Sequence, residues 1–278
     1  MIYERGPYVL LMLIAASISG VIALRAYQSR RKVTRAASFA MMAACSSLWM
    51  LFATLDTIST QLWLKEILWR VIPIMVLSTL TGLFFFSLEF SLRLKRVPKS
   101  IMAVTLGMLL VISALAASNH LHHQMWTVAL VDGDPEQVMG SYFLLQLAVT
   151  YLLAASSLVL LLRAFFRSRG VLRRQTGLLV LGILIPVVVS IAADLLGWNP
   201  LPFVDEPALS LLFTVMFFGW ATLRFNTFYL LPVASDVIIK NMQDGVVVTD
   251  VEGLIIFSNT AAQQAIAASE AQLQGQPV

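Results

Sequence analysis

The chain has 278 residues, of which 59% are hydrophobic and only 12% charged, with a formal net charge of +4. A soluble domain of this length carries about 25% charged residues, so the composition excludes an ordinary water-soluble enzyme and predicts a polytopic membrane protein. The single cysteine, Cys45, excludes an intrachain disulfide and any metal site built on cysteine.

A bilayer-spanning helix needs about 20 apolar residues. Seven segments meet this, over 8–24, 36–55, 67–90, 101–118, 142–166, 176–196 and 208–223. The first is not read as a cleavable signal, because Glu4 and Arg5 flank it and no clear A-x-A site follows. The loops set the orientation. Arg25, Arg30, Arg31, Lys32 and Arg35 lie between spans one and two, and Arg93, Lys95, Arg96 and Lys99 between three and four. Arg163, Arg167, Arg169, Arg173 and Arg174 gather around the loop between five and six, and Arg224 and Lys240 follow span seven. Only Arg5, Lys65 and Arg70 remain for the other side. Positive loops stay in the cytoplasm, so the N-terminus is expected outside and the C-terminus inside; the positive charge reports orientation, and no nucleic-acid partner is expected.

The other loops carry the acids and histidines. His120, His122 and His123 follow span four at a spacing that is weak for a metal site; a polar loop with one structural or pH-responsive histidine is the competing reading. Asp132, Asp134 and Glu136 lack the rest of a calcium loop and read as a solvated turn. Three prolines stiffen the loop before span seven. Trp63, Trp69, Trp126 and Trp198 all map to this boundary, as an interfacial belt or as the wall of a ligand pocket. Arg70 and Asp194 lie near span ends, where ionisable groups are either functional or snorkel to water. Trp69, Arg70, His122, Trp126 and Asp194 therefore form the candidate ligand site, bordering a cavity open to the outside or the outer leaflet. At the opposite end, Glu89 and Arg93 have the spacing of an i,i+4 pair.

After span seven the pattern changes. Pro232 breaks the chain, and Val233 to Asn241 reads as a short amphipathic helix with Val237 and Ile238 on its apolar stripe. Two β-branched runs follow, separated by a turn containing Asp250 and Gly253 and ended by Asn259. Arg224, Pro232, Val237 and Ile238 are the candidates for signal transmission, with the short helix expected to pack in a homodimer. Three regions result: a seven-helix domain over 1–231, a linker helix over 232–241 and an α+β segment over 242–278.

Several positions carry a family resemblance: Trp49, Trp69-Arg70, Asn119, His122 and Trp126 in an N-x-x-H-x-x-x-W stretch, then Pro186, Gly197, Pro200, Asp205, Pro207, Trp220, Arg224, Pro232 and Ala234. In order and spacing, the chain over about 8–240 resembles the N-terminal seven-helix sensory region of bacterial histidine kinases and related signalling proteins. Such members often have a proline in mid-span three, whereas Pro73 lies nearer the span's start. Asp244-Gly245, Asp250, Gly253, Asn259 and Gly275 resemble the beginning of a PAS domain, incomplete here. The resemblance implies an all-α membrane bundle that detects an extracellular or membrane-borne stimulus and reports it to a cytoplasmic PAS and output domain, in a bacterial inner membrane.

No P-loop, dinucleotide fingerprint, nucleophile elbow or zinc-protease motif occurs, so neither catalysis nor a cofactor is expected within the chain. A transporter or channel is the main rival, disfavoured by a membrane centre nearly free of charge and by the absence of a mirrored second half. A retinal photoreceptor would need a lysine in span seven, and none lies in 208–223. A cyclase or transcriptional regulator remains the alternative output to a kinase.

Overall fold

A computed structural model of the chain describes residues 2–30, 35–94, 96–131, 134–198, 200–201, 204–224, 242–249, 253–268, 270–273 and 276. The chain divides into two compact units, Met1–Phe228 and Tyr229–Val278.

Six helices of the first unit are long and apolar enough to cross a membrane. They are α1 (Ile2–Ser29), α2 (Arg35–Ile58), α3 (Leu62–Ser91), α4 (Lys99–Ala117), α6 (Phe143–Arg167) and α7 (Gly170–Leu196). A further helix, α8 (Glu206–Arg224), has 19 residues and an apolar stretch over Glu206–Ala221. Helices are what a lipid-embedded backbone requires, because every N–H and C=O must find its partner within the segment. Short connections make successive helices antiparallel. One end of the bundle therefore collects the basic loops, and the other collects everything between α4 and α6 and between α7 and α8. We call these the basic end and the hairpin end.

Helix α3 is the centre of the bundle. It packs against α2, α4 and α6, while α1 joins α2 to α8 and α6 joins α3 to α7. The helix runs unbroken through Pro73. Small residues permit close approach, as expected where helices associate in lipid: a Cβ on Gly82 would come within 2.8 Å of the Met42 amide nitrogen. Toward the basic end, Phe39, Phe86, Phe90 and Phe218 from α2, α3 and α8 form one aromatic cluster, with Phe86 and Phe218 centroids 5.0 Å apart. Helix α4 stands apart, burying only Thr105, Ile112 and Ala116. Its exposed leucines and valines face what a bilayer would supply.

The buried Glu89 does not form the expected pair with Arg93. Helix α3 ends at Ser91, and Arg93 takes a left-handed backbone conformation (φ 53°). Glu89 instead accepts a hydrogen bond from Ser38 Oγ (2.9 Å) and lies beside Arg35.

The segment expected to be a solvated loop is structured. The one-turn helix α5 (Asn119–His122) leads into an antiparallel hairpin of β1 (Trp126–Val131) and β2 (Asp134–Met139). The first unit is therefore not wholly helical.

The second unit contains a hairpin of β3 (Val247–Thr249) and β4 (Ile255–Ser258), followed by α9 (Thr260–Ile266) and the single turn α10 (Glu270–Leu273). Gly253 has φ +83°, the left-handed conformation that suits a glycine turn. Asn259 caps α9 by accepting from the Ala262 amide (2.9 Å). The same oxygen accepts from the Val246 amide, and the side-chain nitrogen donates to the Asp244 carbonyl. One buried side chain thus joins the start of β3 to the helix.

Replacing Phe86, which is fully buried, should lower the thermal midpoint of the detergent-solubilised protein. Phe→Ala in a soluble core costs about 3–5 kcal/mol. Here the loss should fall at or below that range, since lipid supplies no hydrophobic drive and only packing is lost. Phe166→Ala, at a residue 75% exposed, should leave the midpoint unchanged; equal effects from both would contradict this packing.

Candidate functional site

Asn119 organises the approach to the hairpin. Its side chain is buried, accepts from the amides of Met125 (3.0 Å) and Trp126 (3.3 Å), and donates to the Trp126 carbonyl (2.9 Å). The turn between them is closed by His122. The Gln124 amide donates to His122 Nδ1 (3.0 Å), so Nδ1 is the acceptor nitrogen, and Nε2 carries the proton donated toward the Leu115 carbonyl (3.2 Å). The ring also lies 5.3 Å from that of Tyr142. Gly140 then passes directly against the Gln124 carbonyl, where any Cβ would collide. These constraints fix the hairpin across the end of the bundle and bring Met125, Trp126, Gln137 and Met139 to a cavity beneath it.

The cavity has a volume of about 550 Å³, within the 300–1,000 Å³ usual for small-molecule sites. Its walls come from α2, α3, α6, α7 and α8. Helix α2 contributes Trp49, Ala53, Asp56 and Thr57, and α3 contributes Trp69 and Pro73. Helix α6 supplies Phe143, Gln146 and Tyr151, and α7 supplies Pro186 and Ser190. The beginning of α8 closes the wall with Asp205, Glu206 and Pro207.

Two indole–carboxylate pairs shape this wall. Trp49 Nε1 donates to Asp205 Oδ2 (2.9 Å), and Asp205 Oδ1 caps α8 by accepting from the Ala208 amide (2.9 Å). The Trp69 indole and the buried Lys65 both lie beside the Asp56 carboxylate. Two acceptors have no partner: Asp56 Oδ1 and Gln146 Oε1. Leaving a buried polar atom unpaired costs about 1–3 kcal/mol; both oxygens are enclosed within the wall, so a bound group compensates them once their side chains turn toward the cavity.

Of the five residues expected to form a site, Trp69 and Trp126 line the cavity, each only 3% exposed. Arg70 is placed elsewhere, in an i,i+4 ion pair with Glu66 (3.1 Å). His122 is held within its own turn. The side chains of Asp194 and Arg224, and Pro232, Val237, Ile238 and Asp250 entirely, lie outside the described residues. The four boundary tryptophans divide: Trp63 and Trp198 are 61% and 55% exposed, as an interfacial belt would be, whereas Trp69 and Trp126 face inward. Asp56, Gln146 and Glu206 were not among the expected site residues. The signal available for Asp56 and Gln146 was a lone polar residue near the end of an apolar run.

Asn119→Leu should free the hairpin by removing the acceptor and donor that bind its first residue. Backbone amides over residues 125–139 should then exchange hydrogen at least tenfold faster, a change equivalent to about 1.4 kcal/mol, while the midpoints of α2 and α3 exchange unchanged. Unaltered exchange in the hairpin would contradict the anchoring role.

No curated protein matches the chain. Residues 11–232 match the family described as the N-terminal 7TM region of histidine kinase, a stretch that begins within α1 and takes in the other helices of the bundle, the hairpin and the cavity. The chain is a multi-pass membrane protein, and it belongs to that family of seven-helix histidine-kinase input regions.

Proposed function

We propose that the chain is the sensory input module of a receptor histidine kinase in a bacterial cytoplasmic membrane. In this reading the hairpin end faces outward and the basic end faces the cytoplasm, in keeping with the distribution of lysine and arginine. An extracellular or membrane-borne stimulus enters the cavity. Its arrival is passed along α8 and the 232–241 linker to a cytoplasmic PAS domain and an output domain, within a homodimer.

The observation that carries this reading is the position of α8. Its first turn forms part of the cavity wall, and its other end leads into the second unit. A change in the wall therefore acts on the element nearest the output. The second unit supports the PAS assignment through its strand–turn–strand order and the buried Asn259, which ties the first strand to the helix after the second. Pro232 lacks an N–H, and a helix of about nine residues is too short to be stable alone, so the linker requires contacts such as a partner copy would give.

Two experiments test the proposal. Reporter fusions after residue 130 and after residue 170 should report opposite sides of the membrane, with the first outside. Activity on the same side from both would overturn the topology. Single cysteines at Val237 or Ile238, in a full-length active receptor, should cross-link between chains in membranes, with yields that change on stimulation. Failure to cross-link at both positions would leave the linker as a passive tether and remove the dimeric relay.

A further inference from the structure

We propose that the cavity binds a small organic cation: an ammonium group carrying N–H donors on an aromatic or aliphatic body. The assignment rests on reading the chain as a sensory module and names the chemical class of its ligand.

The polar groups of the cavity are unevenly divided. Carboxyl groups come from Asp56, Asp205 and Glu206, and no lysine, arginine or histidine is among the described lining residues. Lys65 neighbours Asp56 without lining the cavity. Of the indole N–H groups on the wall, which would serve a ligand acceptor, that of Trp49 is already committed to Asp205, and Trp69 lies beside the Asp56 carboxylate. Among the described lining residues, the buried side-chain atoms without partners are Asp56 Oδ1 and Gln146 Oε1, both acceptors; the unpaired donor Arg70 Nε belongs to a residue that does not line the cavity. Gln146 is only 6% exposed, so water does not readily satisfy it. A ligand that fits must therefore bring donors, and a positive charge strengthens every hydrogen bond it makes to a carboxylate. The rest of the wall mixes neutral polar groups, such as Thr57, Gln137 and Ser190, with apolar and aromatic side chains, which suit a hydrophobic body and attract a cation to the ring faces. An anion would meet three acidic groups, with the Trp49 indole already spent on Asp205.

The test uses the purified chain in lipid nanodiscs and three probes of nearly equal size: 4-phenylbutylammonium, 4-phenylbutanol and 4-phenylbutyrate. Binding is followed by calorimetry and by intrinsic fluorescence, since Trp49, Trp69 and Trp126 line the cavity. The ammonium should bind saturably and about tenfold or more tightly than the alcohol, because hydrogen bonds to charged groups exceed neutral ones by about that factor. The butyrate should bind most weakly. Gln146→Met, which keeps length and removes the acceptor, should weaken the ammonium about fivefold or more, and Asp56→Asn should narrow the ammonium-to-alcohol ratio. Equal affinities for ammonium and alcohol, preference for the butyrate, or no saturable ammonium binding would overturn the assignment. Should either variant prove unstable, the probe series on the unaltered chain decides alone. Because no output domain is involved, failure here rejects a cationic ligand while leaving the sensory reading to the fusion and cross-linking results.

Discussion

The carboxylate of Asp205 is the constraint on which the hairpin end of the bundle depends. One oxygen caps α8 at the Ala208 amide, and the other holds the Trp49 indole of α2. A cap is worth about 1 kcal/mol, and the negative charge also complements the positive end of the helix dipole. The link to Trp49 adds position to this stability. It fixes where α8 begins relative to a helix more than 150 residues earlier, and it does so at the wall of a cavity. A group that enters the cavity and competes for Asp205, or pushes on Trp49, acts directly on the start of α8.

Two different kinds of packing divide the bundle along its length. Toward the basic end, the rings of Phe39, Phe86, Phe90 and Phe218 pack together and Glu89 is held between Ser38 and Arg35. Toward the hairpin end, the same helices diverge around the cavity and are joined by polar pairs. Buried apolar clusters also occur at the hairpin end, around Met50, Ala208 and Leu211 and around Leu77, Ile112 and Met125, so the cavity is set into a packed frame. Interiors packed in this way shift between discrete arrangements and do not deform continuously. Thr214, which donates to the Gly182 carbonyl (2.6 Å), ties α8 to α7 between these two halves.

The helices were legible in the sequence because a bilayer allows little else: apolar runs of about 20 residues in lipid must be helical. All seven expected spans fall on helices, with ends displaced by a few residues where polar turns continue the helix into the interface, as at 170–175 before the expected start at 176. The β-hairpin was not legible. Its strands alternate only weakly, Pro135 interrupts the second, and its placement depends on Asn119, seven residues from Trp126. Trp69 and Trp126 were recognisable as candidates because large aromatics at a membrane boundary have few roles, and both line the cavity. Arg70 pairs with Glu66, a partner that only the i,i+4 spacing signals in the sequence. The hydrogen bonds that hold His122 in its turn include two to main-chain groups, which leave no mark in the sequence. Gln146 and Asp56 acquire meaning only when several helices bring their unpaired oxygens to one space.

The central claim is that the state of the cavity sets the state of α8 and so of the output. Ala154 on α6 lines the cavity and is 5% exposed, whereas Phe166 on the same helix is 75% exposed. The most direct measurement is autophosphorylation, in proteoliposomes without added stimulus, of a receptor that joins this chain to a kinase core. Ala154→Trp fills the cavity with an indole, and Phe166→Trp places the same ring in lipid. The account predicts that Ala154→Trp shifts basal activity severalfold while Phe166→Trp leaves it unchanged, with both variants inserted and equally stable. Indistinguishable activity in the two would contradict the claim.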